Sequence, residues 1–171
     1  KELSHRGEIF IPGGKGANQA VAVARLGGQV AFVCKTGSDI FGHQAQQLFS
    51  EEGIDSSYVF SDTKNPSGVA LITVDTHAEN CIVVAPGANA HLTVADLKHS
   101  ARAVEKADIV LLQLEIPMET VEEAAVMARR LGKKVVLNPA PASKLSPRLL
   151  ESLYVITPNE TEAEMISGIH I

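Results

Sequence analysis

The sequence predicts an α/β fold: a mainly parallel sheet with helices on both faces, and a smaller β-sheet projecting from it. Two observations predict it. Uninterruptedly apolar, strand-length runs such as Ile109-Val110-Leu111-Leu112 and Val135-Val136-Leu137 alternate with helical stretches. Strands of that composition are buried on both faces, as in parallel sheets. Upstream, two β-rich segments flank the polar run Asp75-Thr76-His77-Ala78-Glu79, which reads as an antiparallel hairpin with one face in water.

The elements follow in order. Glu8–Ile11 is a short alternating strand able to join the hairpin. Ala17–Leu26 is a helix of small apolar residues, stopped by Gly27-Gly28. Val30–Cys34 is a buried strand. Ser38 or Asp39 caps a helix over Gly42–Glu52, which ends at Gly53. The hairpin pairs Ser67–Val74 with Asn80–Val84. Thr93–Lys106 is helical, with Thr93 as N-cap and Asp96 as the acid three residues on. Asp108–Leu114 is a strand, Glu119–Leu131 a helix ended by Gly132, and Lys134–Leu137 a strand. Pro147–Ser152 is a short helix capped by Ser146, Leu153–Ile156 a strand, and Glu160–Ser167 a helix.

Composition narrows the function. At 171 residues with 45% hydrophobic side chains, the chain can bury a core as one domain or as part of a larger one. A net charge of −5 without a Lys/Arg cluster argues against a nucleic-acid partner. The apolar runs fall far short of the roughly 20 residues of a membrane helix, and no signal peptide is visible at Lys1–Phe10, so a cytoplasmic protein with no membrane partner is expected. Cys34 and Cys81 lie in apolar runs and read as buried thiols, not a disulfide. No zinc-ligand spacing occurs, and the six histidines (His5, His43, His77, His91, His99, His170) are scattered in a manner expected of surface residues. The chain begins at Lys1 and stops three residues after Gly168, and is expected to be a fragment.

The most distinctive stretch is Gly13-Gly14-Lys15-Gly16-Ala17-Asn18-Gln19-Ala20. Glycines let backbone N–H groups approach a ligand, and the following helix points its positive end at the same place. A polyhydroxylated or anionic small molecule is the expected guest. Lys15 is followed by glycine, so the loop is not a P-loop, and Gln19 breaks the dinucleotide fingerprint. Ligands of parallel sheets bind beyond the C-terminal strand ends. Here Gln113-Leu114 runs into Glu115, Val136-Leu137 into Asn138-Pro139-Ala140-Pro141, and Val155-Ile156 into Thr157-Pro158-Asn159-Glu160-Thr161-Glu162. Three strands in succession that end in a carboxylate or amide predict a shared cleft. Plainer roles stay open: Asn159 and Glu162 as a capping box, Asn138-Pro139 as a turn, Lys15 as a solvated loop residue, Asp39 as a cap.

These motifs, together with Thr36-Gly37-Ser38-Asp39-Ile40-Phe41-Gly42 and Pro86-Gly87-Ala88-Asn89, resemble the ribokinase-like carbohydrate kinase family, in that family's order and over essentially the whole chain. The resemblance implies a Rossmann-like body with a small β-sheet lid, here about residues 7–13 and 66–86, through which two copies pair as a homodimer. It implies ATP-dependent phosphorylation of a sugar's primary hydroxyl, with ribose favoured by the match around Lys15 and Pro139-Ala140-Pro141, and deoxyribose, fructose or a nucleoside as alternatives. A sugar-binding remnant without transfer activity is the competing class. By position, Gly14, Lys15, Asn18 and Glu115 bind the sugar, Ala88 lies where the lid covers it, and Asn159 and Glu162 lie near the ATP phosphates, Glu162 reaching Mg2+ through water. A monovalent cation, K+, is also implied. The family's opening strand with its Asn-x-Asp clamp should precede Lys1, and its Gly-Ala-Gly-Asp motif, which holds the general base, should follow Ile171. No catalytic residue is therefore assigned within the chain, and the piece alone is expected to be inactive.

Overall fold

A computed structural model describes residues 13–74 and 80–170. The strand expected at Glu8–Ile11 and the turn Asp75–Glu79 lie outside these residues, as do His5 and His77. In the first half, helix α1 (Lys15–Arg25) leads to strand β1 (Cys34–Gly37), helix α2 (Ile40–Glu51) and strand β2 (Val59–Asp62). Strands β1 and β2 pair in parallel, with Cys34 opposite Val59 and Gly37 opposite Asp62.

The strand expected over Val30–Cys34 is displaced toward its C-terminal end. Residue Ala31 makes a single bridge to Asp55. The next residues of the partner segment curl into a turn, in which Asp55 Oδ1 accepts the Ser57 N–H at 3.0 Å. That Asx turn holds the partner away until Val59. Strand β2 itself was not expected, because Ser56-Ser57 and Ser61-Asp62-Thr63-Lys64 give its surroundings the composition of a loop.

The hairpin forms. Strands β3 (Val69–Val74) and β4 (Asn80–Ala85) pair antiparallel, from Val69 opposite Ala85 to Val74 opposite Asn80. The pair Leu71 and Val83 is 69% and 64% exposed, and the neighbouring Val84 is 62% exposed. Both faces thus present apolar side chains among the described residues.

A 3-10 turn over Gly87–His91 then leads to helices α3 (Val94–His99) and α4 (Ala101–Lys106), where one helix was expected over Thr93–Lys106. The predicted capping box is present: Thr93 Oγ1 accepts the Asp96 N–H, and Asp96 Oδ2 accepts the Thr93 N–H. The break falls at Ser100, which is fully buried and donates its hydroxyl back to Asp96 O at 3.0 Å. Such back-bonding competes with the helical ladder and bends the axis.

The second half alternates regularly: strand β5 (Ile109–Leu112), helix α5 (Met118–Arg130), strand β6 (Lys134–Leu137), helix α6 (Pro147–Leu150), strand β7 (Val155–Ile156) and helix α7 (Glu160–Ser167). The three strands form a parallel sheet in the order β5-β6-β7, with Ile109 opposite Lys134 and Val136 opposite Val155. Residues Val135, Leu137, Val121, Ala125, Ala128 and Leu149 build the main core against α5 and α6. Ala20, Cys34, Phe49 and Ile54 build a second core beneath α1 and α2, where Phe32 meets Phe49 edge to face at 5.1 Å. The cover of the three-stranded sheet is one-sided among the described residues. Val135 and Leu137 are fully buried, whereas Ile109 is 57% exposed on the other face.

Leu149 is fully buried where α6 meets α5. Truncation to alanine there should cost roughly 2–5 kcal/mol, the range for a leucine removed from a packed core. Urea unfolding of Leu149→Ala should report it, and an unchanged midpoint would contradict the packing described.

Candidate functional site

Helix α1 begins with N–H groups that have no partner within the helix. Its N-cap, Gly14, supplies no side-chain acceptor and takes φ 101, a conformation open to glycine. The acceptor comes from elsewhere in the chain. Glu115, just past the end of β5, takes the Lys15 N–H on Oε2 at 2.9 Å. A negative carboxylate at the positive end of a helix is also electrostatically favourable. This contact explains why α1 starts at Lys15 and not at the expected Ala17. A Cβ at Gly14 would stand 3.6 Å from the same oxygen. Asn18 lies one turn up α1, its N–H donating to Gly14 O at 2.9 Å. The side chains of Lys15 and Asn18 are exposed, so both are free to meet a ligand. Gly14, Lys15 and Glu115 are thus in direct contact.

Two glutamines behind the loop have a part that the motif alone did not disclose. Gln113 Nε2 donates to Gln19 Oε1, joining α1 to the end of β5. A Cβ at Gly16 would stand 3.0 Å from Gln113 Oε1 and 3.4 Å from the Phe32 ring. The third glycine of the motif is therefore a close-packing residue. Gln19, read as the residue that spoils a dinucleotide fingerprint, holds the loop to the sheet.

The three strand ends are tied side by side. The Asn138 N–H donates to Leu112 O at 2.9 Å, and the Leu114 N–H to Ala140 O at 3.0 Å. The Asn138 side chain donates to Thr157 O at 3.2 Å, so it bridges loops and is not only a turn former. At the head of α7, Asn159 Oδ1 accepts the Glu162 N–H at 2.8 Å, and Glu162 Oε2 accepts the Asn159 N–H at 2.9 Å. The capping-box reading of this pair is correct as far as it goes. Glu162 is buried at 8% exposure, and its Oε1 takes no hydrogen bond among the described residues.

Ala88 belongs to a different cluster, at the base of the hairpin. It is fully buried and its N–H donates to Pro66 O at 2.8 Å. Nearby, Asp39 caps α2 by accepting the Gly42 N–H at 2.9 Å. Ser38, the other candidate cap, turns to Ser61 and to Asp62 O. The Asp39 carboxylate also accepts the Ser67 hydroxyl at 2.6 Å and the Ser67 N–H at 2.7 Å. These bonds, the Ser67 hydroxyl foremost, lower its pKa to about 2. Asp62 is likewise lowered to about 2, by the Asn65 side chain and the Lys64 and Asn65 N–H groups. Cys34 is a free thiol in the second core, raised to about 12 by burial. Asp96 is penalised by burial, yet the Lys35 ammonium at 2.8 Å and the Thr93 donors keep it below its ordinary value. His43 and His99 bond backbone carbonyls, and His170 pairs with Glu164. Among the described residues no three His, Cys, Asp or Glu side chains converge on a metal position, and no helix is long and apolar enough to cross a membrane.

Comparison with known proteins bears on this arrangement. A model of the pfkB family of carbohydrate kinases matches residues 8–171. The chain is 48% identical to a ribokinase of Haemophilus influenzae over 93% of its own length and 52% of the relative's. It is 38% identical to a deoxyribokinase of Salmonella typhi, again over 93% of this chain and 52% of that one. The structure of Arabidopsis thaliana ribokinase complexed with ribose and ATP superposes with a TM-score of 0.83 at 30% identity, covering 92% of this chain and 52% of the other. The chain spans about half the length of the curated relatives it matches.

Asp39 and Asp62 have folded pKa values near 2, below the unfolded value of about 3.9. The stability they contribute is present above about pH 4 and is lost as pH falls toward 2. Urea midpoints measured across that window should fall less steeply for Asp62→Asn than for the parent protein. Parallel slopes would contradict the assigned hydrogen bonds.

Proposed function

Because the chain belongs to the pfkB family of carbohydrate kinases, we propose that the polypeptide carrying it transfers the terminal phosphoryl group of ATP to the primary hydroxyl of D-ribose, giving D-ribose 5-phosphate. The observation that carries the reading is the contact between Glu115 and the Gly14-Lys15 loop. It sets an anionic acceptor beside exposed polar side chains and a helix N-terminus, at the C-terminal edge of a parallel sheet where ligands bind. A sugar, rich in hydroxyl donors and acceptors, matches that set. The similarity to a Haemophilus influenzae ribokinase and to the Arabidopsis thaliana ribokinase complexed with ribose and ATP supports the assignment.

In this reading Glu115 accepts sugar hydroxyls, Asn18 and Lys15 donate to them, and the Gly14 backbone gives the ring room. Ala88 closes the sugar side from the hairpin, so that residues 66–86 act as a lid on a single α/β domain. Asn159 and Glu162 face the nucleotide phosphates. The donor set suits Mg2+ held indirectly: a carboxylate oxygen, Glu162 Oε1, with no cluster of protein ligands among the described residues, fits an ion that keeps its waters and binds substrate phosphates. Bound there, Mg2+ would neutralise charge developing on the transferred group. No described cluster suits K+, which we assign to the remainder of a polypeptide of the relatives' length. The proton of the attacking hydroxyl passes to a base in that same remainder, the oxygen bonds phosphorus, and ADP leaves. The 171-residue piece alone is then inactive. The exposed apolar hairpin residues Leu71, Val83 and Val84 are the proposed seat of homodimerisation, and the free Cys34 thiol suits a cytoplasmic protein.

The similarity to a Salmonella typhi deoxyribokinase favours 2-deoxyribose as a second reading. A panel of sugars offered with Mg-ATP to the full-length protein separates them. The highest kcat/KM should be for ribose. Preference for 2-deoxyribose would establish the second reading, and no phosphorylation of any sugar would reduce the site to a binding module. In the same protein, Glu115→Ala should raise the KM for the sugar roughly ten- to hundred-fold, the cost of a charged hydrogen bond. The KM for ATP should stay within about two-fold. Equal loss on both substrates would overturn the assignment of Glu115 to the sugar.

A further inference from the structure

The hairpin meets the rest of the molecule through two chain segments, one entering β3 and one leaving β4, and these lie backbone to backbone. The Ala88 N–H donates to Pro66 O at 2.8 Å. A Cβ on Gly68 would come within 2.6 Å of Pro86 O, and one on Gly87 (φ +52) would overlap Pro66 O. The two segments are therefore packed backbone against backbone. On the other side of the junction is the turn between β1 and α2. A Cβ on Gly37 would overlap the Ser67 nitrogen, and one on Gly42 would overlap Gly37 O. At these four glycines a side chain would not fit.

One carboxylate joins the two sides. Asp39 accepts the Gly42 N–H on its own helix, and across the junction it accepts both the N–H and the hydroxyl of Ser67. The Ser67 oxygen in turn accepts the Gly37 N–H at 3.0 Å. Ser67 is 9% exposed, so these groups have little access to water as an alternative partner. A helix cap requires only the Gly42 bond. The bonds to Ser67 go beyond it.

We propose that Asp39 is a positioning residue that clamps the base of the hairpin to the α/β body through Ser67, and so sets where Ala88 stands. The effect on the sugar rests on the reading that Ala88 covers it. The low pKa of Asp39 is in keeping, since it keeps the group ionised and accepting at neutral pH.

Ser67→Ala tests the clamp, because it removes the hydroxyl that joins Asp39 to the Gly37 N–H, and it leaves the Asp39–Gly42 cap and the bond from the residue-67 N–H to Asp39 in place. In the full-length protein, hydrogen exchange should quicken roughly ten-fold at the amide of Ala88, whose acceptor, Pro66 O, the substitution leaves in place. Amides near the middle of α2 should be unaffected. Asp39→Asn should produce the same change, since one of its two oxygens becomes a donor facing the Ser67 N–H, and the double variant should exceed the larger single effect little. Through the clamp, both variants should raise the ribose KM roughly ten-fold with the ATP KM within about two-fold. Unchanged exchange in Ser67→Ala overturns the proposal. So does a change in Asp39→Asn alone, which is what a cap without a clamp would give. Faster exchange with an unchanged ribose KM upholds the clamp and contradicts the placement of Ala88 over the sugar.

Discussion

The hydrogen bond from the Lys15 N–H to Glu115 spans 100 positions of sequence, and the arrangement of the candidate site depends on it. It brings the glycine loop of the first half to the strand end of the second. It supplies an acceptor to a helix whose N-cap has none, and it requires the open conformation of Gly14. The glutamine pair behind it, Gln19 with Gln113, holds α1 and β5 together a short distance away. Without these contacts the loop would be a flexible glycine stretch. With them its backbone is held against a carboxylate, and the Lys15 and Asn18 side chains are exposed.

A second constraint acts at the hairpin. Its two strands carry apolar side chains that remain exposed, so burial within the described residues does little to fix its position. Its base does, through close backbone contacts and the bonds of Asp39 and Ser67. The open face of the β5-β6-β7 sheet belongs to the same picture. Ile109 and Val155 are left exposed on one face while Val135 and Leu137 are sealed on the other.

What could be read from the sequence was what local chemistry decides. Lys134–Leu137 and Glu160–Ser167 form with the expected bounds, because each is punctuated nearby, by Gly132 before β6 and by Asn159 and Gly168 around α7. The hairpin was legible from its change of composition. Boundaries set by distant partners were not. Helix α1 starts two residues early because Glu115 caps it, and the helix after Thr93 breaks because Ser100 bonds backward once buried. The site divides in the same way. Glu115 could be found as an acid at a strand end, and Asp39 as a cap by its place before α2. That Asp39 also grips Ser67, 28 positions later, is a tertiary fact. The capping box of Asn159 and Glu162 was legible; the free oxygen of a buried Glu162 was not.

The proposed function places a sugar against the joined glycine loop and Glu115, with nucleotide phosphates toward Asn159. A crystal structure of the full-length protein with ribose and a non-hydrolysable ATP analogue tests it most directly. The account predicts ribose hydroxyls within hydrogen-bond distance of Glu115 and Asn18, and the terminal phosphate on the Asn159–Glu162 side. A sugar bound away from Glu115, or phosphates lying in the Gly14-Lys15 loop, would contradict it.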